Sequence, residues 1–157
     1  MKRLPKVLII LICVAGSGCS GLMDSDVRQA KAIMRMPEEQ RGQAFDKMPP
    51  NKQLDVYLAG ATRVDPPIRL QGYLAAHWKE ILPVVKERLA SESDGRLAQL
   101  TPALVAISDS YCSLADRVDV LSAVTQAIPR MAEYYQVAAE EDLRNISHPV
   151  KRLPPCL

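Results

Sequence analysis

Pro50-Asn51-Lys52-Gln53-Leu54-Asp55-Val56-Tyr57-Leu58-Ala59-Gly60-Ala61-Thr62-Arg63, residues 50–63, is the stretch from which the fold class can be read. Leu54, Tyr57, Leu58 and Ala61 recur at i, i+3, i+4 and i+7, so they share one face of a helix. Lys52, Asp55, Thr62 and Arg63 fall on the other side. Asp65-Pro66-Pro67 then stops the helix. The ring of Pro66 disfavours the helical conformation at Asp65, and neither proline can donate to a helix ladder. Asp65 is in turn suited to cap a following helix, with proline tolerated in its first turn.

The same periodicity continues along the chain. Leu70, Tyr73, Leu74, His77, Trp78 and Ile81 form a wide apolar stripe that ends near Pro83, which either kinks the helix or starts a new segment carrying Val84, Val85, Arg88 and Leu89. Ser93-Asp94-Gly95 reads as a turn, with Gly95 free to take positive φ. Leu97, Leu100, Leu104 and Ile107 repeat at helical spacing, with Thr101-Pro102 able to reset the start. Asp116 is placed to cap the next helix, with Asp119 in its first turn near the positive end of the dipole and Val118, Leu121, Val124 and Ile128 as its inner stripe. Residues 131–143 give a last, less cleanly patterned helix. A proline-rich tail, residues 145–157, carries Pro149, Pro154 and Pro155.

No run of alternating apolar and polar residues suits a strand, so the expected class is all-α. Pro37-Glu38-Glu39-Gln40 and Pro50-Asn51-Lys52-Gln53 are offset by 13 residues, and Phe45 and Leu58 keep that offset. Helix pairs would then have a period of about 30–35 residues, the range of α-solenoid repeats, although the defining TPR positions are not present in order. The expectation is an array of antiparallel amphipathic helices over residues 27–144, α-solenoid-like or closed into a compact helical bundle.

The chain opens differently. Lys2, Arg3 and Lys6 precede the apolar run Val7-Leu8-Ile9-Ile10-Leu11-Ile12-Cys13-Val14-Ala15, and the small residues Ala15-Gly16-Ser17-Gly18 lead to Cys19. A basic stub, a short apolar core and small residues make the three-part layout of a secretory signal, whose core is too short for a permanent membrane span. The segment before Cys19 resembles a bacterial lipobox, with Gly16 standing where that pattern usually carries Leu or another aliphatic residue. Ordinary cleavage and a short buried helix are the competing readings of the same residues. The resemblance implies a signal peptide over residues 1–18, acyl chains on Cys19, and a lipidated polar tether over residues 19–26. Ser20 after the cysteine resembles an outer-membrane address, since inner-membrane retention usually goes with Asp at that position. The expected location is the periplasmic face of the outer membrane.

Cutting before Cys19 would take three of the 20 Lys and Arg and leave 17 against 18 Asp and Glu. A near-neutral domain of about 139 residues lacks the clustered basic surface that binds phosphate backbones, so nucleic acid is not an expected partner. Cys13 would leave with the signal and Cys19 would carry lipid, which strands Cys112 and Cys156 as a pair in an oxidising compartment. A disulfide between them is expected; two separately buried cysteines is the alternative. No CxxC or Cys/His spacing suits zinc, and no metal or other cofactor is expected.

The remaining polar residues point away from chemistry. His77 could act as a base near neutral pH, but it falls on the stripe with Tyr73, Leu74 and Ile81 and reads as a packed or half-buried histidine. His148 lies in the tail. Glu140-Glu141-Asp142 point in different directions around a helix and read as a solvated end. Asn145-Ile146-Ser147 matches a glycosylation triplet that a bacterial-type lipobox makes coincidental. Tyr134 and Tyr135 sit about 100° apart on a helix, so both cannot face one neighbour and one is expected at the surface, a candidate for partner binding. The functional expectation is a non-enzymatic lipoprotein that binds an envelope protein as a scaffold or assembly module. The alternatives are an immunity-type inhibitor of a periplasmic toxin and an envelope hydrolase with a cleft built on His77 and carboxylates.

Overall fold

The structure, a computed structural model, describes residues 17–64, 70–149 and 153–156, with side chains from residue 25 onward. Its elements are α1 (Ser17–Arg35), α2 (Glu38–Asp46), α3 (Pro50–Arg63), α4 (Gln71–Ala76), α5 (Trp78–Ser91), α6 (Asp94–Ala98), α7 (Leu100–Ser110), α8 (Val118–Ala127), a 3-10 turn (Ile128–Arg130) and α9 (Glu133–Ser147). The chain is all-α. Among the described residues the extended pairing is a single parallel bridge between Ser113 and Pro155. Residues 1–16 of the expected signal peptide (1–18), with its whole apolar core, and the Asp65-Pro66-Pro67 stop with its Asp65 cap lie outside the described residues.

Helices alternate between two layers. α1, α3, α6–α7 and α9 pack side by side, while α2 with α4 and α5 with α8 make the second layer, and α3 packs on α5 across the gap. The contacts show the direction of travel. Gly95 meets Tyr135, Thr101 bonds Asp142 and Ser113 pairs with Pro155, so α9 advances alongside α6–α7 in the same sense. α8, between them in sequence, must therefore run back.

α3 is the centre. Leu54, Tyr57 and Leu58 are buried as their spacing predicts, but Gln53, Val56, Ala59 and Gly60 are buried too, because α3 has neighbours on several sides. Each fully buried leucine or isoleucine here contributes about 1.5–3 kcal/mol. Gln53 is buried with its Nε2 donating to the Phe45 and Met48 carbonyls at 3.1 and 3.0 Å, tying the start of α3 to the end of α2. Lys52 pairs with Asp26 and clasps α3 to α1.

Several local expectations are corrected by packing. The stripe from Leu70 to Ile81 is two helices, broken at His77 (φ −100°, ψ 30°) and not at Pro83, which sits inside α5. The next break falls at Gln99 between α6 and α7, ahead of Thr101-Pro102. Tyr57 Oη donates to the Gln99 carbonyl at 2.7 Å, so a core hydroxyl supplies a partner where the helix ladder is interrupted. The positive φ in the 93–95 turn belongs to Asp94 (φ 46°), an αL position that a short polar side chain tolerates. Gly95 serves close approach instead: a Cβ there would lie 3.3 Å from Tyr135 Oη.

α8 starts after Arg117, not with a cap from Asp116, and Val118 is 75% exposed while Val120 takes the inner place beside Val124 and Ala127. Residues 21–26, expected as a tether, continue the backbone of α1. Asn145, Ile146 and Ser147, expected in the tail, form the last turn of α9, with Ile146 buried.

Candidate functional site

Cys112 and Cys156 are bonded, with Cα atoms 5.0 Å apart. Both are 2% exposed and belong to the core, so the tail reaches inward and does not cover a surface thiol. Ser113 donates to the Pro154 carbonyl at 2.7 Å and Cys156 donates back to Ser113 at 3.1 Å. The tail is thus held by backbone pairing as well as by sulfur. Arg117 Nη1 donates to the Cys156 carbonyl at 3.3 Å, carrying that fixed geometry to the start of α8.

That arginine forms one wall of a groove between α5 and α8, of about 440 Å³, lined by Trp78, Lys79, Leu82, Pro83, Lys86, Arg117 and Asp119. The floor is apolar and the rim is cationic. Asp119 is shared: Arg117 grips it with Nε and Nη2 at 3.1 Å each and Lys86 reaches it at 3.0 Å. These bonds, the Arg117 hydrogen bonds foremost, hold the Asp119 carboxyl far below its ordinary range. Lys79 Nζ lies 5.6 Å from the centre of the Trp78 ring, within range of a cation–π contact.

A second surface runs along α9. Tyr134 is 72% exposed and Val137, one turn on, is 70% exposed. Tyr135 is half-buried, its ring 4.0 Å from that of Tyr134 and its hydroxyl against Gly95. The pair therefore divides as the 100° spacing requires, one ring outward and one inward. Glu133, Glu140 and Glu141 are exposed on the same helix. The Tyr135 hydroxyl first, and the charge of Asp94 last, raise the Tyr134 phenol above its ordinary range.

Elsewhere, polar groups serve the fold. His77 closes α4, and its Nε2 lies 2.7 Å from Asp46 Oδ1, linking the α4–α5 break to α2. His148 follows α9 and its Nδ1 contacts Ser147 Oγ at 3.1 Å. Asp142 accepts from Thr101 Oγ1 at 2.6 Å. Burial raises its carboxyl, Thr101 opposes this and Glu141 adds to it. Burial likewise pushes the Tyr57 hydroxyl far above its ordinary range. Among the described residues no group of three or more His, Cys, Asp or Glu is arranged to hold a metal, and no helix is long and apolar enough to cross a membrane. Cys19 and Ser20 lie near the start of α1, their side chains outside the described set.

Reading the sequence misses the groove because its walls, residues 78–86 and 117–119, are distant in the chain and no local pattern joins them. The one available signal was Trp78, which reads as core from its stripe yet is only partly buried. Comparison with protein-family models, curated proteins and solved structures gives no match to this chain.

Proposed function

We propose that this protein is a lipoprotein, anchored through Cys19 at the periplasmic face of the outer membrane, whose helical domain binds another envelope protein as an interaction or assembly module and has no catalytic role. The observation that carries the binding reading is the α9 ridge. Tyr134 and Val137 leave large apolar side chains in water at adjacent turns, where a rigid aromatic flanked by carboxylates suits a partner with an apolar, basic surface. The Cys112–Cys156 bond supports an oxidising compartment, as the resemblance of the segment before Cys19 implies.

The test is affinity capture of the lipidated protein from its own cells, repeated with Tyr134→Ser and Val137→Ser. A partner captured by the parent and lost from both variants is the expected result; a captured set unchanged by either variant refutes the ridge. The ridge also favours a second reading. An aromatic knob among Glu133, Glu140 and Glu141 has the chemistry of a plug for a cationic active site, as an immunity-type inhibitor requires. If the captured partner is a hydrolase that the protein inactivates, that reading replaces the scaffold. Hydrolase activity of the purified protein that disappears in His77→Ala would overturn both.

A further inference from the structure

We propose that the groove between α5 and α8 is a second binding surface, separate from the α9 ridge, and that it takes an acidic, partly apolar peptide segment of a partner protein. Its lining carries three cations, Lys79, Lys86 and Arg117, against the single carboxylate of Asp119. Asp119 is already committed to Arg117 through both oxygens and to Lys86 through one, so two positive charges remain uncompensated within the lining. Beside them lie the partly buried Trp78 ring, the buried Leu82 and the exposed Pro83. An occupant that matches both features places an aliphatic or aromatic side chain against Trp78 and Leu82 and a carboxylate near Lys79 and Lys86.

Shape separates this occupant from other anions. A bilayer surface is flat and does not fill a concave space of about 440 Å³ between two helices, whereas a chain segment inserts side chains into it. Nucleic acid needs a continuous basic track, and here the cations are confined to one groove beside a carboxylate. The rim is also pre-organised. Arg117 is fixed by Asp119 on one side and by the Cys156 carbonyl on the other, and Cys156 is held by its bond to Cys112. The disulfide therefore sets the position of a groove wall as well as stabilising the tail, and ordering Arg117 in advance reduces the entropy lost on binding.

The experiment uses the full-length protein in neutral detergent, displayed to a library of random dodecapeptides. The expected selection is enriched in Asp and Glu beside Leu, Ile or Phe. Trp78 is the chain's only tryptophan, so its emission reports occupancy of the groove directly when a selected peptide is titrated. Lys79→Glu and Lys86→Gln change solvent-facing lysines and should leave the helical signal intact while weakening binding at least tenfold. Raising salt from 50 to 300 mM should weaken it several-fold. Cys156→Ala should weaken it without altering the peptide preference, and Tyr134→Ser should leave it unchanged, which keeps the groove distinct from the ridge. Selection of peptides with no acidic bias, equal binding by Lys79→Glu, or a Trp78 response to phosphatidylglycerol vesicles but not to selected peptides would each overturn the proposal.

Discussion

Cutting the Cys112–Cys156 bond is the perturbation whose size follows most directly from the structure. The two cysteines are 44 residues apart. Loop closure in the unfolded chain then costs about 4 kcal/mol less with the bond in place, by the chain-entropy relation. Without it, the tail keeps three hydrogen bonds, Ser113 to Pro154, Cys156 to Ser113 and Arg117 to Cys156, worth about 0.5–1.5 kcal/mol each. Ordering the backbone that follows α9 costs about 1–2 kcal/mol per residue, so those bonds alone do not hold it. The expected outcome for Cys112→Ala/Cys156→Ala is therefore release of the tail, a loss of about 3–4 kcal/mol, and an almost unchanged far-UV spectrum. Hydrogen exchange at the Ser113 and Cys156 amides measures the release of the tail, and urea unfolding followed by ellipticity and by Trp78 emission measures the loss of stability. A loss under about 1 kcal/mol, or amides that stay protected in the variant, would refute the reasoning.

Tyr57→Phe should cost about 1–2 kcal/mol by urea unfolding, because the Gln99 carbonyl loses its 2.7 Å donor in a buried setting; an effect below a few tenths would mean water replaces it. Glu92 accepts from Arg88 at 2.6 Å and Arg96 at 3.0 Å, and although burial by itself would raise its carboxyl, these arginines hold it below the ordinary 4.5. Its ionised form thus stabilises the fold above pH 4.5, and that contribution is lost as pH falls through the lower folded value. Glu92→Gln should cost about 1 kcal/mol at pH 7 and flatten this part of the acid limb. Asp142 has the opposite sign: burial foremost raises its carboxyl, so its contribution is present below the ordinary 3.8 and lost as pH rises through the folded value. Asp142→Asn should be neutral or stabilising at pH 7, and a marked destabilisation in thermal scans would contradict that. Cys19→Ser should yield protein that no longer fractionates with membranes after processing, and Ser20→Asp should shift it to the inner membrane in a density gradient; unchanged fractions would refute the anchor.

Much of this molecule was legible residue by residue. Helical spacing at Leu54, Tyr57 and Leu58, and again at Leu97, Leu100, Leu104 and Ile107, identified buried faces correctly because periodicity is a local property of the chain. The Cys112–Cys156 pair was also expected, and the division of Tyr134 from Tyr135 followed from helix geometry alone. Where competing local signals met, packing chose between them. His77 rather than Pro83 breaks the helix. Asp94 rather than Gly95 takes positive φ, while Gly95 lies where Tyr135 approaches. Val120 takes the inner face of α8 with Val124 and Ala127, and Val118 is left exposed. Such choices depend on neighbours 30 to 40 positions away, as with Asp119 against Lys86 and Gly95 against Tyr135. The α5–α8 groove belongs wholly to that second kind of information. Sequence by itself indicated the all-α class and most of the apolar stripes, and pointed to the cysteine pair; only the tertiary structure fixed where the helices break and brought Trp78, Lys79 and Lys86 to Arg117, since a surface made from two distant segments has no periodicity of its own.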